Sequence, residues 1–167
     1  DQNIRRLKKN VRFLKKDKVL LTDNAIQFIK QDVLHLNGNT MLIDGLDTLT
    51  CDSMYYWSKL DSGYAMGNVR FIQPDRDRTL TTEFFHYWKT DGYRGSSFIS
   101  SGYTRIMDAD QLIIANEINY EDHQQLMKLA VNASVENPTR GIFGDEITIQ
   151  YADSMLEVIR VKDHAFA

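Results

Sequence analysis

With 167 residues, 43% of them hydrophobic, and a single cysteine at Cys51, the chain is long enough to bury one core without staples and has no internal disulfide open to it. The net charge of −3 is uneven: Arg5, Arg6, Lys8, Lys9, Arg12, Lys15, Lys16 and Lys18 face only Asp1 and Asp17 in the first eighteen residues, a local charge of +6 against −9 over the rest. No apolar run is long enough for a membrane-spanning helix and Asp1 begins no signal peptide, so a soluble chain is expected, its targeting segment removed; the basic stretch reads as a solvated face, since no nucleic-acid-binding motif follows it.

Residues 1–9 form a basic segment of undecided structure ahead of a single domain over 10–167. Ile4, Leu7, Val11 and Leu14 fit helical spacing with a basic opposite face. From Asn10 a repeat takes over. Asn10, Asn39 and Asn68 lie 29 residues apart, and each is followed by an alternating segment: Val11-Arg12-Phe13-Leu14, Thr40-Met41-Leu42-Ile43 and Val69-Arg70-Phe71-Ile72. The third segment restates the first without the helical spacing, which decides for a strand from Asn10. A second strand follows in each unit, Leu21-Thr22-Asp23-Asn24-Ala25-Ile26 aligning with Thr50-Cys51-Asp52-Ser53-Met54-Tyr55. Looser echoes at Thr82 to Tyr87, Ala115 to Tyr120 and Gly144 to Tyr151 bring the total to about five copies.

Turn-forming stretches punctuate the copies at Asn37-Gly38-Asn39, Lys59 to Gly63, Gln73-Pro74-Asp75, Thr90-Asp91-Gly92 and Glu136-Asn137-Pro138. Leu126 to Val131 also fit the extension of a helix from Glu117, and alternation continues through Val158-Ile159-Arg160-Val161, so the chain is expected to stop mid-repeat. Within each copy apolar residues occupy alternate positions, which places them on one face of a strand, with a polar face opposite. Short strands with regular turns imply an all-β fold. A unit of this size cannot bury its apolar face alone, so stacked units share one core. Its inward positions would be Phe13, Leu42 and Phe71 in one row, with Met54, Tyr56, Phe85, Tyr87, Ile118, Tyr120, Ile147 and Tyr151 in others. The hydroxyls of Tyr56, Tyr87, Tyr120 and Tyr151 favour a cavity mouth where they meet water.

The wording of the repeat, in Gly67-Asn68-Val69-Arg70-Phe71, Leu49 to Tyr56 and Leu80 to Tyr87, resembles the OstA/LptA family of lipopolysaccharide-transport proteins from about Asn10 to Tyr151. Departures are Cys51 and Thr82 where alanine is commoner, Ala115-Asn116, and a longer Ser-rich connection through Ser101-Gly102. The resemblance implies an open, V-shaped β-jellyroll whose two sheets enclose an apolar groove lined by the eleven inward residues named above. It also implies a non-enzymatic role without cofactors, binding the acyl chains of lipopolysaccharide or lipid A as a link in a periplasmic bridge to the outer membrane. Unpaired end strands would join other lipopolysaccharide-transport proteins, or a second copy head to tail, the basic run against the acidic remainder strengthening that contact at low salt.

Enzyme signals are thin. His35, His86, His123 and His164 are dispersed, and no zinc-protease, nucleophile-elbow, P-loop or dinucleotide motif is present. Asp75-Arg76-Asp77-Arg78 and Asp108-Ala109-Asp110 are expected in turns, explained by solvation. The competing expectation is a structural β-solenoid segment of a surface protein or adhesin that binds no lipid.

Overall fold

Alternating apolar positions turn nearly the whole chain into strand. The computed structural model describes residues 3–93, 95–153 and 155–164. Its strands are β1 (Ile4–Lys15), β2 (Lys18–Phe28), β3 (Val33–Asp44), β4 (Asp47–Trp57), β5 (Ser62–Gln73), β6 (Arg78–Lys89), β7 (Ser96–Asp108), β8 (Gln111–Glu121), β9 (Leu126–Asn137), β10 (Arg140–Ala152) and β11 (Met155–Lys162). They form one antiparallel meander in sequence order, with β1 and β11 at its edges. Single 3-10 turns at Pro74–Arg76 and Asp122–Gln124 interrupt two of the connections.

What bends this sheet is the repeated asparagine. Asn10, Asn39 and Asn68 all adopt left-handed backbone, with φ of 50°, 44° and 48°, and each follows another left-handed residue: Lys9, Gly38 or Gly67. Two such residues on one strand oppose one on its neighbour, so the register shifts between Lys8 and Val11, between Asn37 and Thr40, and between Met66 and Val69. Such a bulge kinks a strand and sharpens its twist. Asn39 and Asn68 donate from Nδ2 to Asp23 and Asp52 across the corner, both at 2.8 Å. A Cβ on Gly67 would stand 2.5 Å from Asp52 Oδ2, and its φ of +73° is one a side chain disfavours, so glycine is required there twice over. The small residues Thr22, Cys51, Thr82 and Ala115 sit buried at the same corner, where two threonine pairs, Thr22 with Thr40 and Thr82 with Thr104, bond hydroxyl to hydroxyl.

The corner cuts β1 to β10 into short halves that form two limbs. The first limb holds segments such as Thr40–Asp44 and Val69–Gln73; the second holds Val33–Asn37, Ser62–Met66 and all of β11. The limbs face each other. Phe71 of the first lies 5.2 Å, ring to ring, from Phe85 of the second and 6.4 Å from Phe98. Together they bury a single apolar cluster that runs from Val11 to Tyr151. The result is an all-β, repeat-built, open jelly roll in which each repeat is a pair of bent strands.

Several expectations change. Asn37-Gly38-Asn39 is the corner bulge inside β3 and not a turn, because its left-handed residues are absorbed by pairing with β2 and β4. Ser101-Gly102 lies within β7, Gly102 taking the corner with φ of 86°, so the longer connection falls instead between β6 and β7. Leu126 to Val131 is strand: β8 and β10 pair with it on both sides, and tertiary pairing overrides local spacing. Residues from Ile4 onward belong to β1, whose cations Arg5, Arg6, Lys8, Lys9 and Arg12 are exposed. The opposite edge strand carries Glu157 with Arg160 and Lys162, Lys162 pairing with Glu146 and Asp163, so the acidic remainder is not concentrated on that edge.

Candidate functional site

The strand parity that makes the limbs also lines the space between them. Register places Phe13 beside Leu20, Leu20 beside Leu42, Leu42 beside Leu49 and Leu49 beside Phe71, so the expected row exists with β2 and β4 contributing its intervening members. On the second limb Tyr56 and Tyr87 flank Gly63, while Met54 and Phe85 flank Ala65. Met54, Tyr56, Phe85, Ile118, Tyr120 and Ile147 are 0–2% exposed, and Leu42, Phe71, Tyr87 and Tyr151 are also buried. Phe13 is half-buried and packs against the cluster from its end.

These side chains are in mutual contact. Phe85, Phe98 and Tyr120 pack in succession as tilted rings with centroids 5.2 and 5.3 Å apart, and the space between Leu42, Leu49, Phe71 and Tyr87 is about 10 Å³. Mid-molecule the limbs are closed on one another. At the β1 end the interior widens into a cavity of about 230 Å³ between Phe13 and Leu20 of one limb and Leu34 and Tyr56 of the other.

Opposite the corner, the hairpin turns of the two limbs form two rims, and polar side chains tie one to the other. Lys15 donates to the Ser58 carbonyl, and Lys18 bridges Asp61 across the gap while also pairing with Asp44 at 2.9 Å. Lys89 reaches Asp44 at 2.6 Å. Farther along, Arg76 donates to Tyr120 Oη and pairs with Asp122, and Tyr151 donates to Asp108 at 2.9 Å. Arg78 pairs with Asp108 at 2.8 Å, its guanidinium 5.0 Å from the Tyr120 ring centroid and 5.2 Å from that of Tyr151. This seam closes the mouth of the V.

The seam tunes its own charges. Burial opposes ionisation of Asp44, but hydrogen bonds from Lys89 and Lys18, with their charges, outweigh it and hold the carboxyl below its ordinary range. Asp47, beside it, is pushed up by burial and by Asp44, against a hydrogen bond from Gln73. Burial lowers the tendency of Arg78 to stay protonated, yet Asp108 more than restores it. Away from the seam, burial pushes the Cys51 thiol up to about 12, which makes it a small corner residue without thiolate character.

Sequence reasoning missed the seam. Arg78 and Asp108 stand at the ends of turns as expected, but they are a buried pair and not solvated charges. Parity carried the signal: Arg78 shares the inward face with Leu80 and Thr82, as Asp122 does with Tyr120 and Ile118. The tyrosine hydroxyls also differ from expectation. Tyr56, Tyr120 and Tyr151 donate to Asp61, Asp122 and Asp108, while Tyr87 Oη has no partner among the described residues.

The outer face of the second limb departs from the polar face expected. There His35 stacks on Tyr55 at 4.4 Å and Tyr64 on His86 at 4.0 Å, a cross-strand ladder flanked by Trp57 and Trp88. Beside it Tyr64, Phe84 and Ile99 border an open groove of about 480 Å³.

A meander of bent strand pairs, apolar within and tied along its rims, defines an open β-jellyroll with one apolar cluster between its limbs among the described residues. The chain belongs to the OstA-like protein family, whose profile matches residues 1–145. Among solved structures it is similar to LptH, the LptA-homologous periplasmic component of the conserved lipopolysaccharide transport device from Pseudomonas aeruginosa, at 13% identity over 96% of this chain and 82% of that one, with a TM-score of 0.33. No curated protein matches the sequence.

Proposed function

We propose that this chain holds the acyl chains of lipopolysaccharide between its limbs and passes them on unchanged, as a link in a periplasmic bridge to the outer membrane. The observation that carries the reading is the continuity of the interior: one apolar cluster extends through every repeat and widens at the β1 end. Each methylene moved from water into such a space is worth about 0.8 kcal/mol, so a path of this kind suits several acyl chains and needs no cofactor or chemical step. The closed centre then requires the limbs to part as the chains enter. Membership of the OstA-like family supports the same reading.

The edges of the meander offer unpaired backbone groups on β1 and β11, which suit pairing with the strand of another transport protein or of a second copy. Titration of the folded chain with lipid A, followed by tryptophan fluorescence, tests the proposal. Saturable binding without metal or nucleotide is expected, and its absence would overturn it. One observation favours a purely structural jelly roll instead, namely the filled centre of about 10 Å³. A solenoid is no longer the form of that alternative, since the strands run antiparallel in a meander and not as parallel coils.

A further inference from the structure

Arg78 is nearly sealed from solvent, its side chain 2% exposed, yet among the described residues only Nη2 reaches an acceptor, at Asp108; Nε and Nη1 have no partner there. A buried guanidinium with unused donors is costly unless something accepts from them. Arg76 stands two residues away, its guanidinium 5.5 Å from the centroid of the same Tyr120 ring that Arg78 covers at 5.0 Å. Two arginines therefore converge where the rims meet, beside the Phe98–Tyr120 stretch of the interior.

The carboxylates facing them are not committed to them alone. Asp108 also accepts from Tyr151 at 2.9 Å, and Asp122 from Tyr120 at 3.2 Å and from Gln125 at 3.4 Å. Either acid keeps hydrogen bonds if its arginine turns elsewhere. Gln73 and Gln125, along the same rims, each bury a carbonyl oxygen without a partner among the described residues.

We propose that Arg76 and Arg78 form a binding site for the phosphate headgroup of an amphiphile whose acyl chains enter the interior beside them. The planar guanidinium fork matches a phosphate's oxygens, and a phosphate accepts from the donors that Asp108 leaves unused. Arg76 is also a tie across the seam, through Asp122. Its transfer to phosphate releases that tie where the chains enter, so headgroup binding and parting of the limbs are one event. This site rests on the acyl-binding reading given above and adds the headgroup to it.

Decyl phosphate, decanol and inorganic phosphate, each titrated into the folded chain below micellar concentrations, test it. Decyl phosphate should bind about tenfold more tightly than decanol, the worth of one charge-assisted hydrogen bond. Arg76→Gln should lower the ratio of decyl phosphate to decanol affinity, since loss of the cation acts on the phosphate alone while loss of the tie to Asp122 acts on both ligands alike. Asp122→Asn, which frees Arg76 without deleting a cation, should raise that ratio, and it keeps the test open if Arg76→Gln melts early. Equal affinity for decyl phosphate and decanol would overturn the site while leaving acyl binding intact. So would inorganic phosphate binding as tightly as decyl phosphate, which would make this an anion site unconnected with the interior. If neither decyl ligand nor lipid A binds, the acyl reading falls and the headgroup site with it.

Discussion

Replacing Arg78 by leucine tests whether a buried charge pair on the first limb supports the seam. The Arg78–Asp108 pair spans 2.8 Å, with side chains 2% and 9% exposed, and after the change Asp108 keeps, among the described residues, only the Tyr151 hydroxyl as a side-chain donor. Stranding one partner of a buried pair costs about 3–5 kcal/mol, a large share of the roughly 5–15 kcal/mol that stabilises a domain. The cation also covers two tyrosine rings, each such contact worth about 0.5–2 kcal/mol, which keeps the estimate toward its upper end. Arg78→Leu/Asp108→Leu should recover most of the loss, because an apolar pair carries no desolvation penalty and the two unused Arg78 donors disappear. Urea unfolding of both single variants and the double, followed by far-UV circular dichroism, gives the coupling energy. A loss below about 1 kcal/mol for Arg78→Leu, the range of an exposed pair, would refute the argument, as would costs that simply add in the double variant.

Further outcomes follow from the corner, the rim and the edges. Gly67→Ala forces a side chain into left-handed backbone and against Asp52, and should cost at least the ~1–2 kcal/mol of the backbone change; adding Asp52→Ala should relieve only the clash, and unchanged urea midpoints would contradict the corner geometry. At about pH 7 Asp44→Asn should destabilise by about 0.5–1 kcal/mol, and because the folded carboxyl lies below its ordinary range, that stability exists above about pH 4 and fades as pH falls through the lowered value. Asp47→Asn should act oppositely: its raised carboxyl lends stability below about pH 4 that is lost as pH rises through the folded value, so the amide raises the melting temperature at neutral pH and does little in acid. Thermal melts of both variants at about pH 7 and about pH 3 check the pair of signs. Finally, proline at Val158 and at Ile159, tested in parallel, removes an outward amide from β11 in one case and an inward one in the other; the outward variant should lower apparent mass in sedimentation without melting the fold, and a strict monomer in the unchanged chain would limit edge pairing to other partners.

The period of 29 residues was legible because Asn10, Asn39 and Asn68 share one backbone demand, the left-handed corner of a bulge. Alternation gave the inward row from Phe13 through Phe71 for the same reason: a strand shows its parity in sequence. The corner itself was misread as a turn at Asn37 to Asn39, since left-handed glycine and asparagine serve both, and only pairing with β2 and β4 separates them. The seam was illegible for a different reason. Its partners are drawn from opposite rims, 43 residues apart for Lys18 with Asp61 and 46 for Arg76 with Asp122, and a charge beside a turn reads as solvated until the facing limb is in place. The outer ladder escaped because its members alternate with the inward residues, Tyr55 with Tyr56 and His86 with Tyr87, so each aromatic run looked like one face instead of two.

That two-faced arrangement sets the most direct test of the central claim, that acyl chains lie between the limbs. The outer groove beside Tyr64 is about 480 Å³ and open, whereas the interior beside Phe71 is closed until the limbs part. A photo-reactive phenylalanine analogue placed at Phe71 in one variant and at Tyr64 in another, irradiated with lipid A and read by mass spectrometry, distinguishes the two faces. The account predicts a lipid adduct at position 71 and none at 64; an adduct at 64 with none at 71, in chains that remain folded, would contradict it.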